Sequence, residues 1–353
     1  MYKVLYLNYT AIDPHIGCIG VCYVHLTALF NRGIDVETLS NYQLKGYWQG
    51  DRTTSLEYIS NSELSSKIYD SDAIVINGEG TLHHNRGLFL LSIAEFAITV
   101  GVPVFLINTT IQEIDGFDAV LSSLSDLAVR EKSSYEYLIS KGINCRLTVD
   151  SIVNADFSTI GDRDYSSKLI INDWHPHAEL IIQPIVDELI VKSNTIYHPL
   201  HDSNAYSNWR YTVANYQTAE LIIAPRYHSI YLSGLGGSPF IALPSNSHKV
   251  SGVIYASGLP IPICSNIKDL NSHMEYAKNN PNLYLEFRDY LSENKNKDFI
   301  VFDRYFNIAK PQFKESIQEK INAWENKIDS HYNLSMTNFY NNLLVKDLNI
   351  SAG

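Results

Sequence analysis

The amino-acid sequence predicts an α/β protein: two Rossmann-like domains facing a cleft, each a parallel sheet with helices on both faces. Three observations carry that expectation. Short apolar runs of strand length alternate with stretches of helical periodicity from Lys3 to Ala277, the pattern that builds parallel sheets through crossover helices. The alternation restarts after a polar stretch, Asn154 to Ser167, that carries Gly161, Asp162 and Asp164, as a connection between two cores would. Polar and charged clusters follow directly on several strands, where open α/β sheets hold ligands. A chain of 353 residues, 45% apolar and 18% charged, is long enough for two such cores.

Taken in order, Lys3 to Leu7 is an apolar strand, Asn8 to Gly17 a polar loop with Asp13 and His15, and Ile16 to Asn31 a helix that Gly33 closes. Ile34 to Leu39 is a strand, Ser40 to Ser55 a loop rich in Tyr, Gln, Gly and Trp, and Asn61 to Tyr69 a helix. Ala73 to Asn77 is a strand that ends in the turn Gly78-Glu79-Gly80. Helices over Leu88 to Val100, Gly116 to Leu124 and Ser134 to Lys141 then separate strands over Val102 to Asn108, Asp126 to Val129 and Cys145 to Val149. This first domain spans residues 1–155. The second, residues 165–280, repeats the pattern. Its strands are Lys168 to Asn172, Thr195 to Tyr197, Leu221 to Ala224, Pro239 to Leu243 and Pro260 to Cys264. Helices run over Ala178 to Val191, Ala205 to Tyr216, Val250 to Ser257 and Ile267 to Ala277, with a short one after His228 that Gly236-Gly237 stops. Beyond Asn279 the order weakens, and residues 281–353 read as a C-terminal helical extension and tail. Within it Ala309 to Ile328 is an amphipathic helix, expected to cross back onto the first domain or to make a dimer or membrane-surface contact.

Composition excludes several classes. A net charge of −11 argues against broad nucleic-acid binding through phosphates. Four scattered cysteines form no disulfide framework, and Cys18-x-x-x-Cys22 lies on an apolar helix face, as buried reduced thiols do. Clustered Cys and His at metal-ligand spacing are missing from the sequence, so no metal is expected. MYKVLYLNYT begins a strand and lacks a signal peptide's apolar core. No apolar run reaches the ~18 residues of a spanning helix. A cytoplasmic chain is expected, at most peripheral to the inner face of the membrane.

The chemistry concentrates after strands. Arg226 and His228 follow the strand Leu221 to Ala224 at a helix mouth, where free N–H groups and the helix dipole favour an anion. Ser245, Asn246 and Lys249 follow the next strand, so three cationic groups converge there. Arg130, also between a strand and a helix, suits a bidentate carboxylate or phosphate clamp. His198, fixed by Pro199, is a further donor to an anion. Glycines at 78 and 80 let the backbone approach a ligand and aim Glu79 into the cleft, with His83 nearby.

Leu221 to Lys249, with its strand-Arg-x-His, small-residue helix and Pro-Phe-Ile-Ala-Leu strand, resembles the polysaccharide pyruvyl transferase family. The Gly78-Glu79-Gly80 turn and Val129-Arg130-Glu131-Lys132-Ser133 are similar to that family's glycine-rich turn and its R-[DE]-x-x-S block. The likeness covers roughly residues 1 to 265. It implies a GT-B-like fold and a role in building a bacterial surface glycan such as capsule or lipopolysaccharide. It also implies a phosphoenolpyruvate donor, with no cofactor, held by Arg130, Arg226 and His228. Ser245, Asn246, Lys249 and His198 would complete the donor site. The acceptor would be a sugar or lipid-linked glycan near His15, Gly78, Glu79 and His83. In that chemistry two sugar hydroxyls add to the enol-ether carbon. His228 is then the acid for the methylene carbon, and Glu79 or Asp13 orients or deprotonates the acceptor. Two readings compete. His198-Pro199 is similar to the His-Pro motif of bacterial sialyltransferases with GT-B folds, which implies a CMP-sugar donor. A non-catalytic glycan-binding module is the third, and it leaves the clustered cations unexplained.

Overall fold

A computed structural model of the protein describes residues 2–175, 179–191, 194–295, 301, 319, 322, 323 and 326. The first sheet comprises β1 (Lys3–Leu7), β2 (Asp35–Leu39), β3 (Ala73–His83), β4 (Val104–Gln112), β5 (Asp126–Val129) and β6 (Arg146–Leu147), in the order β2-β1-β3-β4-β5-β6. The second comprises β7 (Leu169–Ile171), β8 (Thr195–Tyr197), β9 (Leu221–Ala224) and β10 (Phe240–Ala242), in the order β10-β9-β7-β8. Every pairing between these strands is parallel. The central strands are apolar throughout because helices cover both faces: Leu5, Ile74, Val75, Leu106, Ile170 and Ile222 are fully buried. Each sheet reverses its winding once, between β1 and β3 in the first and between β7 and β9 in the second. Ligands of doubly wound sheets bind outside the carboxyl ends of such strand pairs. Asn8, Asn77 to Gly80, Asp173 and Arg226 all follow or extend those four strands.

The first helix, α1 (Ile16–Phe30), is apolar nearly all round and is buried accordingly. One side, with Ile16, Ile19 and Val24, joins the core of the second sheet; Cys22, Leu26 and Leu29 pack against β1 in the first. His25 ties both sides, bonding Tyr6 Oη at 2.8 Å and Ser151 Oγ at 2.7 Å. The first domain continues with α2 (Asn41–Leu44), α3 (Arg52–Ser60), α4 (Glu63–Tyr69), α5 (Leu88–Thr99), α6 (Asp118–Ser122) and α7 (Lys132–Ser140). The second carries α8 (Glu179–Ile190), α9 (Ala205–Asn208), α10 (Thr212–Tyr216), α11 (Tyr227–Gly236), α12 (Lys249–Ser257), α13 (Ile267–Asn279) and α14 (Pro281–Glu293).

The structure departs from the sequence reading in several elements, each for a local reason. The stretch read as a loop, Ser40 to Ser55, holds α2 and the start of α3, because Ser40 and Gln43 form a capping box and Asp51 caps Thr54 N. Gly78-Glu79-Gly80 is no turn: β3 runs on through it to His83, paired with β4 across a bulge between Glu79 and Leu82. α7 begins at Lys132 because Glu131 accepts from the Ser133 and Ser134 amides. The strand read over Cys145 to Val149 shrinks to two residues, and that over Pro260 to Cys264 to the bridge between Ala242 and Ile263. Beyond Asn279, α14 is a full helix whose Tyr284, Phe287 and Leu291 fill the core beneath Phe240. The helix read over Ala309 to Ile328 lies, save four positions, outside the described residues.

Candidate functional site

The end of β9 fixes the second domain's contribution. Arg226 stands in extended conformation as the N-cap of α11, and its Nε and Nη2 both donate to Asp173 Oδ2, at 2.9 and 2.5 Å. Asp173 follows β7, and its other oxygen accepts the Leu200 amide at 2.7 Å. One carboxylate therefore ties three strand ends together. His228, the second residue of α11, is buried, with Nε2 3.6 Å from Asp150 Oδ2. Its ring lies against α1: a Cβ on Gly17 would stand 2.2 Å from His228 Cγ and Nδ1.

The first domain supplies Arg130 and Asp150, both almost wholly buried, joined Nη1 to Oδ2 at 2.6 Å. The Arg130 guanidinium lies 4.1 Å over the ring of Tyr227, and its Nε donates to Thr110 Oγ1. Burial pushes the Asp150 pKa up, but Arg130 and then His228 outweigh it and hold the carboxyl well below its usual range. Thr110 and Asp150 engage Nε and Nη1, so Nη2 is the nitrogen directed at Gly80. Arg130 Nη2 and Lys249 Nζ each lie 3.4 Å from the point a Gly80 Cβ would occupy. Glycine at 80 keeps this space open between two cations.

Lys249 opens α12 and donates to Asn246 Oδ1 at 2.8 Å, while Ser245 Oγ donates to the same oxygen at 3.3 Å. Burial first, then Arg130 and Arg226, pushes Lys249 down to about 7. Beside it in sequence, His248 crosses to the first domain, with Nε2 3.1 Å from Glu131 Oε1 and from Ser134 Oγ. Glu79 faces these groups from β3 in a left-handed conformation, φ 41°. Its Oε1 accepts from Thr10 Oγ1 at 2.6 Å and Asn77 Nδ2 at 2.8 Å, and Oε2 accepts from Cys18 Sγ at 3.5 Å. Gly78 packs on Thr109 so closely that a Cβ would lie 2.2 Å from Thr109 Oγ1. His83 ends β3 with Nδ1 2.9 Å from His84 Nδ1, so these rings meet instead of pointing apart as adjacent helical residues would.

His15, Cys18 and His228 bring one ligand atom each within 4.8 Å of one another, a group the sequence reading did not foresee. The Nδ1 of His15 accepts the Gly17 and Cys18 amides at 3.1 and 3.4 Å, which places the hydrogen of the neutral ring on Nε2. Burial, then the nearby His228 and Arg226, holds His15 well below its ordinary range, so the ring stays neutral. His15 is thereby a capped N–H donor, its lone pair engaged by the helix. Asp13 accepts from Tyr42 Oη at 2.8 Å, and burial pushes it up.

The structure brings together Arg130, Arg226, His228, Lys249, Asn246, Ser245, Gly78, Glu79 and His15, with His83 near enough to Lys249 to feel its charge. His198 is held differently. Its ring packs between Tyr165 and Tyr216 and bonds Tyr216 Oη at 2.9 Å, and its carbonyl accepts from Asn172. Those contacts make it a buried strand-end histidine whose Nδ1 is engaged by a tyrosine. Asp150 and Asp173, which position both arginines, were missed as site residues. The available signal was that each ends an apolar strand.

Buried neutral histidines predict acid sensitivity. Burial pushes His25 down to about 3 and His83 and His198 to about 4. These folded values lie below the unfolded ~6.5, so the unfolded chain binds more protons and stability falls as pH drops from about 6.5 towards 4. His198 alone accounts for about 3 kcal/mol at the acid end. Urea unfolding at pH 7.5 and 5 should show this loss, reduced in His198→Gln; an equal loss would assign the sensitivity elsewhere.

Among the described residues no helix is long and apolar enough to cross a membrane. No curated protein matches the sequence. Solved structures do match in fold. S. aureus MnaA, solved with UDP, is 12% identical with TM-score 0.57, covering 89% of this chain and 99% of that chain. A putative UDP-N-acetylglucosamine 2-epimerase from Listeria monocytogenes is 9% identical with TM-score 0.58, covering 88% and 98%. The spinosyn rhamnosyltransferase SpnG, complexed with thymidine diphosphate, is 11% identical with TM-score 0.51, covering 87% and 100%. At these identities the likeness shows the fold, two Rossmann-like domains in the GT-B manner. The polysaccharide pyruvyl transferase family model matches residues 22–247, which spans β2 to β10 and carries Glu79, Arg130, Arg226 and His228. The chain is a transferase and belongs to the polysaccharide pyruvyl transferase family.

Proposed function

We propose that the cleft binds phosphoenolpyruvate and transfers its pyruvyl group, as a ketal, to a sugar or lipid-linked glycan of a bacterial surface polysaccharide. The observation that carries this is the pairing of Arg130 Nη2 and Lys249 Nζ over Gly80, with Arg226 as a third cation at the α11 mouth. A carboxylate and a phosphate borne by one carbon need such a set of donors. In this reading Arg130 and Arg226, aimed by Asp150 and Asp173, hold the two anionic groups. His228, against Asp150, completes the donor side. Glu79, with Oε1 fixed by Thr10 and Asn77, and Asp13 serve the acceptor hydroxyls. The competing CMP-sugar reading would use His198, whose Nδ1 is bonded to Tyr216 Oη, and protection by CMP is its test.

Thermal unfolding tests the donor. At 100 times its Kd a ligand adds about 2.7 kcal/mol, so phosphoenolpyruvate should raise Tm by a few degrees while CMP leaves it unchanged. Arg226→Ala should remove the shift. Protection by CMP but not by phosphoenolpyruvate would overturn the reading.

A further inference from the structure

We propose that Lys249 is the catalytic acid of the transfer, the group that delivers a proton to the methylene carbon of the donor. The assignment rests on the donor reading above and replaces His228, the acid expected from sequence.

Position argues first. Lys249 Nζ borders the same open point over Gly80 as Arg130 Nη2, so an anion lying across the arginine meets the ammonium directly. Its bonded partner is the neutral amide oxygen of Asn246, not a carboxylate. Arg130 and Arg226, by contrast, are each paired with a buried aspartate. A guanidinium does not release its proton, so both arginines can bind but cannot protonate carbon. His228 is hemmed in, its Nε2 facing Asp150 and its Cγ and Nδ1 against the Gly17 backbone. His15 is a neutral ring whose one N–H is a poor acid. Lys249 remains.

Rigidity argues second. Although α12 belongs to the second domain, its first turn is fastened to the first. His248 bonds Glu131 and Ser134, its amide donates to Gln112 Oε1 at 3.0 Å, and Gly252 packs so close that a Cβ would lie 2.1 Å from Glu131 Oε2. Lys249 is thus carried by one domain and held in register by the other, as an acid must be to meet a carbon atom. Burial and the two arginines push it down to about 7, which leaves it able to give and regain a proton at neutral pH.

The step balances. The first acceptor hydroxyl oxygen bonds to C2 of phosphoenolpyruvate. The C2–C3 π pair takes the proton from the Lys249 ammonium, turning the methylene into a methyl group. Glu79 removes the hydroxyl proton. The second hydroxyl oxygen then bonds to C2 as the C2–O bond to phosphate breaks, and phosphate leaves with that electron pair. The second hydroxyl proton returns to the Lys249 amine, and Glu79 passes its own to phosphate.

The experiment compares wild type with Lys249→Arg. Both are given phosphoenolpyruvate in D2O, with methyl glycosides carrying paired free hydroxyls as acceptors. Deuterium in the product methyl group and phosphate release are followed by NMR, alongside the phosphoenolpyruvate-dependent Tm shift. Lys249→Arg keeps a cation, so the Tm shift should persist while both rates fall about 10²–10⁴-fold. Exogenous methylamine should restore part of the rate in Lys249→Ala. Rates in Lys249→Arg within threefold of wild type would overturn the assignment. Loss of the Tm shift together with the rates would also overturn it, making Lys249 a binding group. Wild type that is protected but transfers no deuterium fails this proposal and leaves the donor reading standing; wild type with no protection fails the donor reading itself.

Discussion

Arg130→Met is expected to lower the unfolding free energy by about 3–5 kcal/mol at neutral pH, the loss that follows when one partner of a buried ion pair is removed. Arg130 and Asp150 are respectively 2% and 0% exposed at the side chain. Methionine fills much of the arginine's volume, so the effect comes from the carboxylate left without its 2.6 Å partner, not from a cavity. The pH dependence follows from the sign of the shift. Asp150 is held well below its usual range in the folded protein. Its pairing therefore stabilises fully above the unfolded value of ~3.9, and that stability is lost as pH falls through the folded one. The gap between wild type and Arg130→Met should accordingly be largest at neutral pH and narrow in acid. The double variant Arg130→Met, Asp150→Asn should recover much of the loss. Guanidinium midpoints at pH 7 decide it: a single-variant loss under 1 kcal/mol would show that His228 and the Ile152 amide suffice to hold the charge.

Gly17→Ala is expected to reduce transfer by about 10²-fold or more, since misplacing a catalytic framework by about an ångström has that effect. The new Cβ would lie 2.2 Å from His228 Cγ and 2.6 Å from its Cβ. The nearest atoms thus sit close to the α11 backbone, and no rotamer change relieves the clash. Either α1 or α11 must move, and these helices carry His15, Cys18, Arg226 and His228. Overpacking should remove about 1–3 kcal/mol, against which the better helix propensity of alanine returns about 1. The net loss of stability should therefore be about 0–2 kcal/mol while turnover falls steeply. Gly46→Ala, with nothing within 4 Å of its Cβ, is the control. Wild-type turnover in Gly17→Ala would show that the helices yield without disturbing the site.

The fold was legible because its signal is local. Alternating apolar runs and helical periodicity recur in every βα unit, and each strand end in the cleft carries polar residues that stand out against them. Arg226, Arg130 and Lys249 could be singled out on that basis. What could not be read was pairing at a distance. Asp150 is 20 residues from Arg130 and Asp173 is 53 from Arg226, and only strand order makes them neighbours. Gly78 and Gly80 were read as a turn because glycine usually marks one. Here Gly78 is needed for close packing on Thr109 within a strand, and Gly80 leaves the space between two cations unfilled. His198-Pro199 stood out as a dipeptide with a functional precedent, and the fold sets its ring between two tyrosines, one of them bonded to Nδ1.

The first helix, apolar on both sides, bears on how the protein can be divided. A fragment ending at residue 155 would keep α1 but strip away the second sheet, exposing Ile16, Ile19 and Val24 to water. A fragment beginning after it would leave that sheet without part of its own core. The connection in sequence is therefore not the seam in space. The two halves share a helix as a common wall, and the cleft is built into one piece of protein rather than left between two.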